Sequence, residues 1–129
     1  MSTNRRPRVY VESPFAAKSR NARRENYRYL LQCLRECIDR GEAPFASHGF
    51  YTYFLDDVVP EERTAGIESG LAWGECAEKT IVYVDLDISR GMRLGIDAAV
   101  KAGRPIEYRR LGQPEPLSEE DVDRLAVHT

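Results

Sequence analysis

Cysteine is scarce in this chain, three residues in all, and its spacing suits no zinc motif. Cys33 and Cys37 sit one helical turn apart with no histidine nearby, and Cys76 is remote. They read as small core residues, so no metal centre and no cofactor is expected. An odd count without an export signal also argues against a disulfide framework. No apolar run approaches the roughly 20 residues that cross a bilayer, and MSTNRRPRVYV lacks an apolar signal region. The expectation is a cytoplasmic chain with no membrane partner. Net charge is only −2, because acids elsewhere balance the Arg-rich beginning, and so no field recruits a nucleic acid polymer. Repeats, low-complexity runs and linkers are missing too, and 129 residues suit one domain.

What is present alternates. With 42% hydrophobic and 31% charged residues the composition is that of an ordinary globular chain. RVYV (Arg8 to Val11) reads as a first strand, and the apolar positions Tyr27, Leu30, Leu34, Cys37 and Ile38 predict a helix from about Arg23 to Arg40, stopped by Gly41. APFAS (Ala43 to Ser47) reads as a second strand, followed by the aromatic loop HGFYTYFLDDVVPEER. Pro60 with Glu61 and Glu62 predicts a second helix from Glu61 to about Glu75, since proline needs no N–H there and acids suit the positive helix end. TIVYV (Thr80 to Val84) is a near-continuous apolar run that suits the centre of a parallel sheet. Ser89 can cap a third helix from Arg90 to Ala102, closed by Gly103, before a strand from Pro105 to Arg109. Ser118 and Asp121 then resemble the capping box of a short final helix. The fold class is therefore α/β: a Rossmann-like three-layer domain with a short, mostly parallel sheet of about four or five strands. Its core spans about residues 8 to 110, and 111 to 129 form a tail.

In such sheets ligands bind outside the carboxyl ends of the strands. That rule selects Glu12-Ser13-Pro14-Phe15, Ser47-His48-Gly49-Phe50-Tyr51, and Asp85 to Gly91. Carboxylates there can hold sugar hydroxyls, aromatics can stack on a base, and the N–H groups of Ser89 to Met92 can hold an anion.

Three stretches also carry a resemblance: VYVESPFA, GLAWGECAEKTIVYVD and SRGMRLGIDAAVKAGRPI. Together, over roughly residues 8 to 110, they resemble the nucleoside 2-deoxyribosyltransferase-like superfamily, in particular its small bacterial and phage members. The resemblance implies a Rossmann-like fold, homo-oligomers, and an activity that breaks or exchanges the N-glycosidic bond of a nucleoside or nucleotide. It implies pocket roles for Tyr10, Ser13, Pro14 and Phe15, an acidic role for Asp85 or Asp87, and a ligand-holding turn at Ser89, Gly91 and Met92. It also implies a glutamate nucleophile on the helix after the third strand, and here the match fails. The glutamate's place in Gly91-Met92-Arg93-Leu94-Gly95 is held by Arg93, which has no lone pair to give.

Other acids can be weighed. Asp97 belongs to an Arg93–Asp97–Lys101 ladder that reads as a solvated face. Glu68, among small and apolar neighbours in TAGIESGLAW, could reach the pocket or pair across a subunit interface. Asp56 and Asp57 read as an exposed turn or a flap. His48, at a strand end, suits ligand contact and proton transfer, and Tyr51 stands beside it. Arg20 and Arg24 could hold a 5′-phosphate. Trp73 reads as core or interface, and His128 as tail. Two functions remain open. One is an N-glycosidase or deoxyribosyltransferase using Glu68, Asp85 or Asp87; the other is a binding protein that has lost the nucleophile.

Overall fold

The computed structural model describes residues 5–125. Its elements run β1 (Arg8–Glu12), α1 (Arg20–Asp39), β2 (Ala43–Phe45), α2 (Pro60–Gly74), β3 (Lys79–Tyr83), α3 (Arg90–Ala102), β4 (Ile106–Arg109) and α4 (Glu119–Asp123). The α/β class and the three layers are as the sequence predicts. The four strands are all parallel in the order β2-β1-β3-β4. Order reverses between β1 and β3, so the carboxyl ends of these two strands flank the switch point.

Alternation along β1 sorts the layers. Val9 and Val11 point to one face, where they pack with Ile81 and Tyr83 of β3 against Tyr29, Leu30, Cys33 and Cys37 of α1. On the other face Val82 and Val84 pack with Ile88, Met92 and Ile96, which brings in α3. Side chains buried on both faces explain why TIVYV reads as a continuous apolar run. The helix α2 differs. Only Gly70 and Gly74 of it are buried, and it supplies nothing to either apolar cluster.

Some boundaries shift. The first helix starts at Arg20, three residues earlier than the apolar spacing indicates, because Ser19 caps it by accepting the Ala22 N–H at 3.0 Å. The second strand stops at Phe45; Ser47–Gly49 and Tyr51–Tyr53 instead form two single 3-10 turns inside the aromatic segment. Ser89 caps α3 and Gly103 closes it at φ 70°, a region that glycine enters at little steric penalty. Ser118 caps α4 through the Asp121 N–H. Trp73 is not in the core: it is 60% exposed. His128 lies outside the described residues.

Candidate functional site

The candidate site is a cluster of buried side chains at the carboxyl end of β1. Because side chains alternate, Tyr10 and Glu12 share the face that meets α2 and α3. Tyr10 is buried, and its hydroxyl donates to Ser47 Oγ at 2.6 Å. Gly70 of α2 sits directly over this pair: a methyl group there would come within 2.6 Å of Ser47 Oγ and 2.9 Å of the Tyr10 hydroxyl. The Tyr10 ring also passes close under Gly74. Burial, above all, pushes the Tyr10 phenol up to about 12, with the Ser47 hydrogen bond opposing and the Glu12 charge adding.

The next residues fold into one constellation. Ser13 is buried, and its hydroxyl is hydrogen-bonded to His48 Nε2 at 2.8 Å, which ties the loop after β1 to the turn after β2. Phe15 meets the His48 ring edge-on at 6.3 Å, and Asn26 Nδ2 holds the Phe15 carbonyl at 3.0 Å. Pro14 is buried beside them. Burial lowers His48 to about 4, which leaves it a neutral imidazole able to exchange a proton with the Ser13 hydroxyl. Tyr51 is half-buried within a ring cluster with Phe50 and Phe54. Its charge is one of the influences on Tyr10.

Glu12 is the residue that the switch-point rule selects with its loop but that the sequence does not single out as a catalytic acid. It is only 8% exposed, and its carboxylate accepts no hydrogen bond from any described residue. Burial pushes it up to about 8, only partly offset by the charge of Arg104. Arg104 is itself held by a 3.0 Å bond from its Nε to Thr80 Oγ1. The carboxylate lies on Gly95 of α3: a methyl group at 95 would overlap it, with even the farther oxygen, Oε1, only 3.0 Å away. Two signals were present in the sequence. Glu12 shares a face with Tyr10 in a strand buried on both sides, and Gly95 leaves a gap on the inward side of α3.

Other expected residues are placed apart from this group. Asp85 stands on the α1 side, where it accepts the Tyr29 hydroxyl at 2.6 Å and the Leu111 N–H at 3.1 Å. Asp87 is half-buried in the turn leading to α3, with φ 65°. Glu68 is exposed, and two residues from Gly70 it points away from the face that meets Tyr10 and Ser47. Arg20 and Arg24 are exposed on the first turns of α1. Ser89 accepts the Met92 N–H at 3.3 Å, Gly91 is exposed, and the Met92 side chain belongs to the apolar cluster under α3. Arg93 and Asp97 are both exposed. Asp56 accepts the Val58 N–H, and Asp57 faces Arg63 at 3.8 Å. Two open hollows lie elsewhere, one along Pro114, Leu117 and Leu125, the other along Leu31, Arg35 and Leu111. Among the described residues no helix is long and apolar enough to cross a membrane, and no three metal-ligating side chains gather.

A parallel α/β sheet in the order β2-β1-β3-β4, with buried polar side chains gathered at its switch point, defines the class as Rossmann-like. Within it, the chain belongs to the family described as a domain of unknown function (DUF7768), which matches residues 7–109. A solved structure of a 2-deoxyribosyltransferase from Bacillus psychrosaccharolyticus is similar to it, with a TM-score of 0.62 and 18% identity over 95% of this chain and 85% of that one. That likeness shows a shared fold. No curated protein sequence matches the chain.

Proposed function

We propose that this protein processes nucleosides or nucleoside 5′-monophosphates by cleaving or exchanging their N-glycosidic bond. The observation that carries this reading is the Ser13–His48 pair, buried beside Tyr10 at the carboxyl end of β1. It gathers proton-transferring and aromatic groups at the point where this fold class takes its ligands. The shared fold with a 2-deoxyribosyltransferase supports the choice of ligand class.

In this reading Tyr10, Pro14, Phe15 and Tyr51 form the wall for a base, while Ser13 and His48 contact its polar edge. The turn at Ser89, Gly91 and Met92 offers backbone N–H groups to the sugar or phosphate. Arg20 and Arg24 flank the opening as phosphate partners. Glu68, Asp85 and Asp87 are the acids that the sequence nominates, Glu68 only across a subunit interface, as its exposure on one chain requires. A homo-oligomer fits that requirement.

A second reading has one observation in its favour. Arg93, in the position expected for the nucleophile, is exposed, as is Asp97, so α3 supplies no buried carboxylate and a binding protein without turnover results. Incubation with nucleosides, deoxynucleosides and their 5′-monophosphates, followed by chromatography and thermal shift, separates the two. Released base supports the enzyme. A thermal shift without release supports the binding protein, and silence in both defeats the ligand class.

A further inference from the structure

We propose that Glu12 is the catalytic acid of this site, the group that delivers a proton to the departing base; this rests on the N-glycosidic reading above. Three observations meet at this residue. Among the described residues every buried side-chain nitrogen or oxygen has a hydrogen-bond partner. The Glu12 carboxylate has none, so its two oxygens must lie at the small opening through which the residue meets solvent. A carboxyl group that the protein neither pairs nor seals has its hydrogen-bonding capacity left for something else.

The second observation is the gap made for it. Gly95 is buried on α3, and the carboxylate rests where any side chain at 95 would stand. The acid therefore reaches from β1 to the surface of α3. The helix offers no substitute, since Asp97 is its one acid and is exposed. The third is position. Glu12 ends a central strand next to the switch point and directly precedes Ser13, whose hydroxyl is bonded to His48. The upward shift of its titration to about 8 agrees, because it keeps the proton on the carboxyl at neutral pH.

The step balances with water as co-reactant. The carboxyl proton passes to a ring nitrogen of the base while the C1′–N bond breaks and its electron pair leaves with the base. Water adds to the oxocarbenium-like C1′, and its surplus proton returns to the Glu12 carboxylate. Nucleoside and water become sugar and free base, and the protein is unchanged.

The test compares base release from 2′-deoxyadenosine, thymidine and their 5′-monophosphates by the wild type, Glu12→Gln and Gly95→Ala. Circular dichroism reports folding, and thermal shift reports binding. Glu12→Gln keeps the shape and loses the proton, so release should fall by about 100-fold or more while nucleosides still shift the melting curve. Gly95→Ala should lower the rate too, because its methyl group displaces the carboxyl. The double variant Glu12→Gly with Gly95→Glu offers the carboxyl from α3 instead and should regain part of the rate. A Glu12→Gln rate within about threefold of wild type overturns the acid and leaves the glycosidase reading standing. A wild type that releases no base overturns both. Should Glu12→Gln fail to fold, the pH profile decides: the wild-type rate should fall as pH rises through about 8, and an unchanged rate across that range overturns the assignment.

Discussion

Two buried glutamates, one on each side of β1, have opposite surroundings. Glu42, just ahead of β2, accepts two parallel bonds from Arg109, NH1 to Oε1 at 2.8 Å and NH2 to Oε2 at 2.6 Å. The same guanidinium donates to Glu107 through Nε at 2.6 Å, and the neighbouring Tyr83 hydroxyl donates to Glu36 at 2.7 Å. Every charge in that network is answered, and its product is a fixed end for β4. Glu12 is equally buried, and it is answered by nothing nearer than the field of Arg104. Desolvating a charge is expensive unless it is paired. A fold has reason to keep Glu42. It has no structural reason to keep Glu12, which is the argument for giving Glu12 a function.

The comparison can be broken first where the expected effect is largest. Replacing Arg109 by Met strands Glu42 as a buried, unpaired carboxylate and should destabilise the protein by about 3–5 kcal/mol. Glu12→Gln should cause no such loss at neutral pH. Denaturant midpoints of the two variants measure the contrast, and equal losses would erase it.

Next in size is the pH dependence. Glu12 is raised from 4.5 to about 8, so the folded protein holds this proton where the unfolded chain has lost it. Its contribution is full below pH 4.5 and is lost as pH rises through about 8, with a slope of up to about 1.4 kcal/mol per pH unit. His48, lowered from 6.5 to about 4, acts in the other direction: its contribution is present above 6.5 and lost as pH falls through about 4. The two slopes oppose each other between 4.5 and 6.5, which leaves the fall from 6.5 to 8 to Glu12 alone. Urea unfolding at half-unit pH intervals should show that fall in the wild type and a flat line in Glu12→Gln.

The third prediction concerns the close approach of α2 to Tyr10 and Ser47. Gly70→Ala puts a methyl group 2.6 Å from Ser47 Oγ and 2.9 Å from the Tyr10 hydroxyl, so the helix or the pair must give way. A loss of about 1–3 kcal/mol is expected, from overpacking against a made hydrogen bond. A neutral or stabilising result would mean that α2 floats free of Tyr10.

Much of the architecture was legible because it rests on local rules. The β-branched and aromatic run at Arg8 to Val11, the apolar run at Thr80 to Val84, and the caps at Ser89 and Ser118 each have a residue-scale cause. The site was legible in part. Ser13, His48 and Phe15 fall together because the switch-point rule names their loops before any contact is known, and the resemblance nominates Tyr10. Glu12 is named with its loop but not as a catalytic acid, because that meaning depends on Gly95, 83 positions away, and on what fails to bond to it. The Glu42–Arg109 pair was hidden for a similar reason: 67 residues separate its members, and neither spacing nor charge pattern announces the match. The sequence nominates Asp85 as a loop acid, yet the Tyr29 hydroxyl, 56 positions away, and the Leu111 N–H account for its oxygens.

The smallest expected effect sharpens the contrast at its edge. Trp73 tilts against Phe45 at 6.4 Å, and Phe50 and Phe54 lie beyond, but the indole is 60% exposed and α2 adds nothing to the apolar clusters. On one chain alone, then, Trp73→Ser should change stability by no more than about 0.5 kcal/mol, as for an ordinary surface position. A homo-oligomer that buried this surface would give another result, because the loss would grow and the midpoint would depend on protein concentration. Denaturation of Trp73→Ser at two concentrations a hundredfold apart therefore tests the site as well as the surface. A concentration-independent midpoint with a loss near zero leaves Glu68 pointing at solvent and removes it from the acids available for chemistry, and Glu12 then stands without a rival from α2.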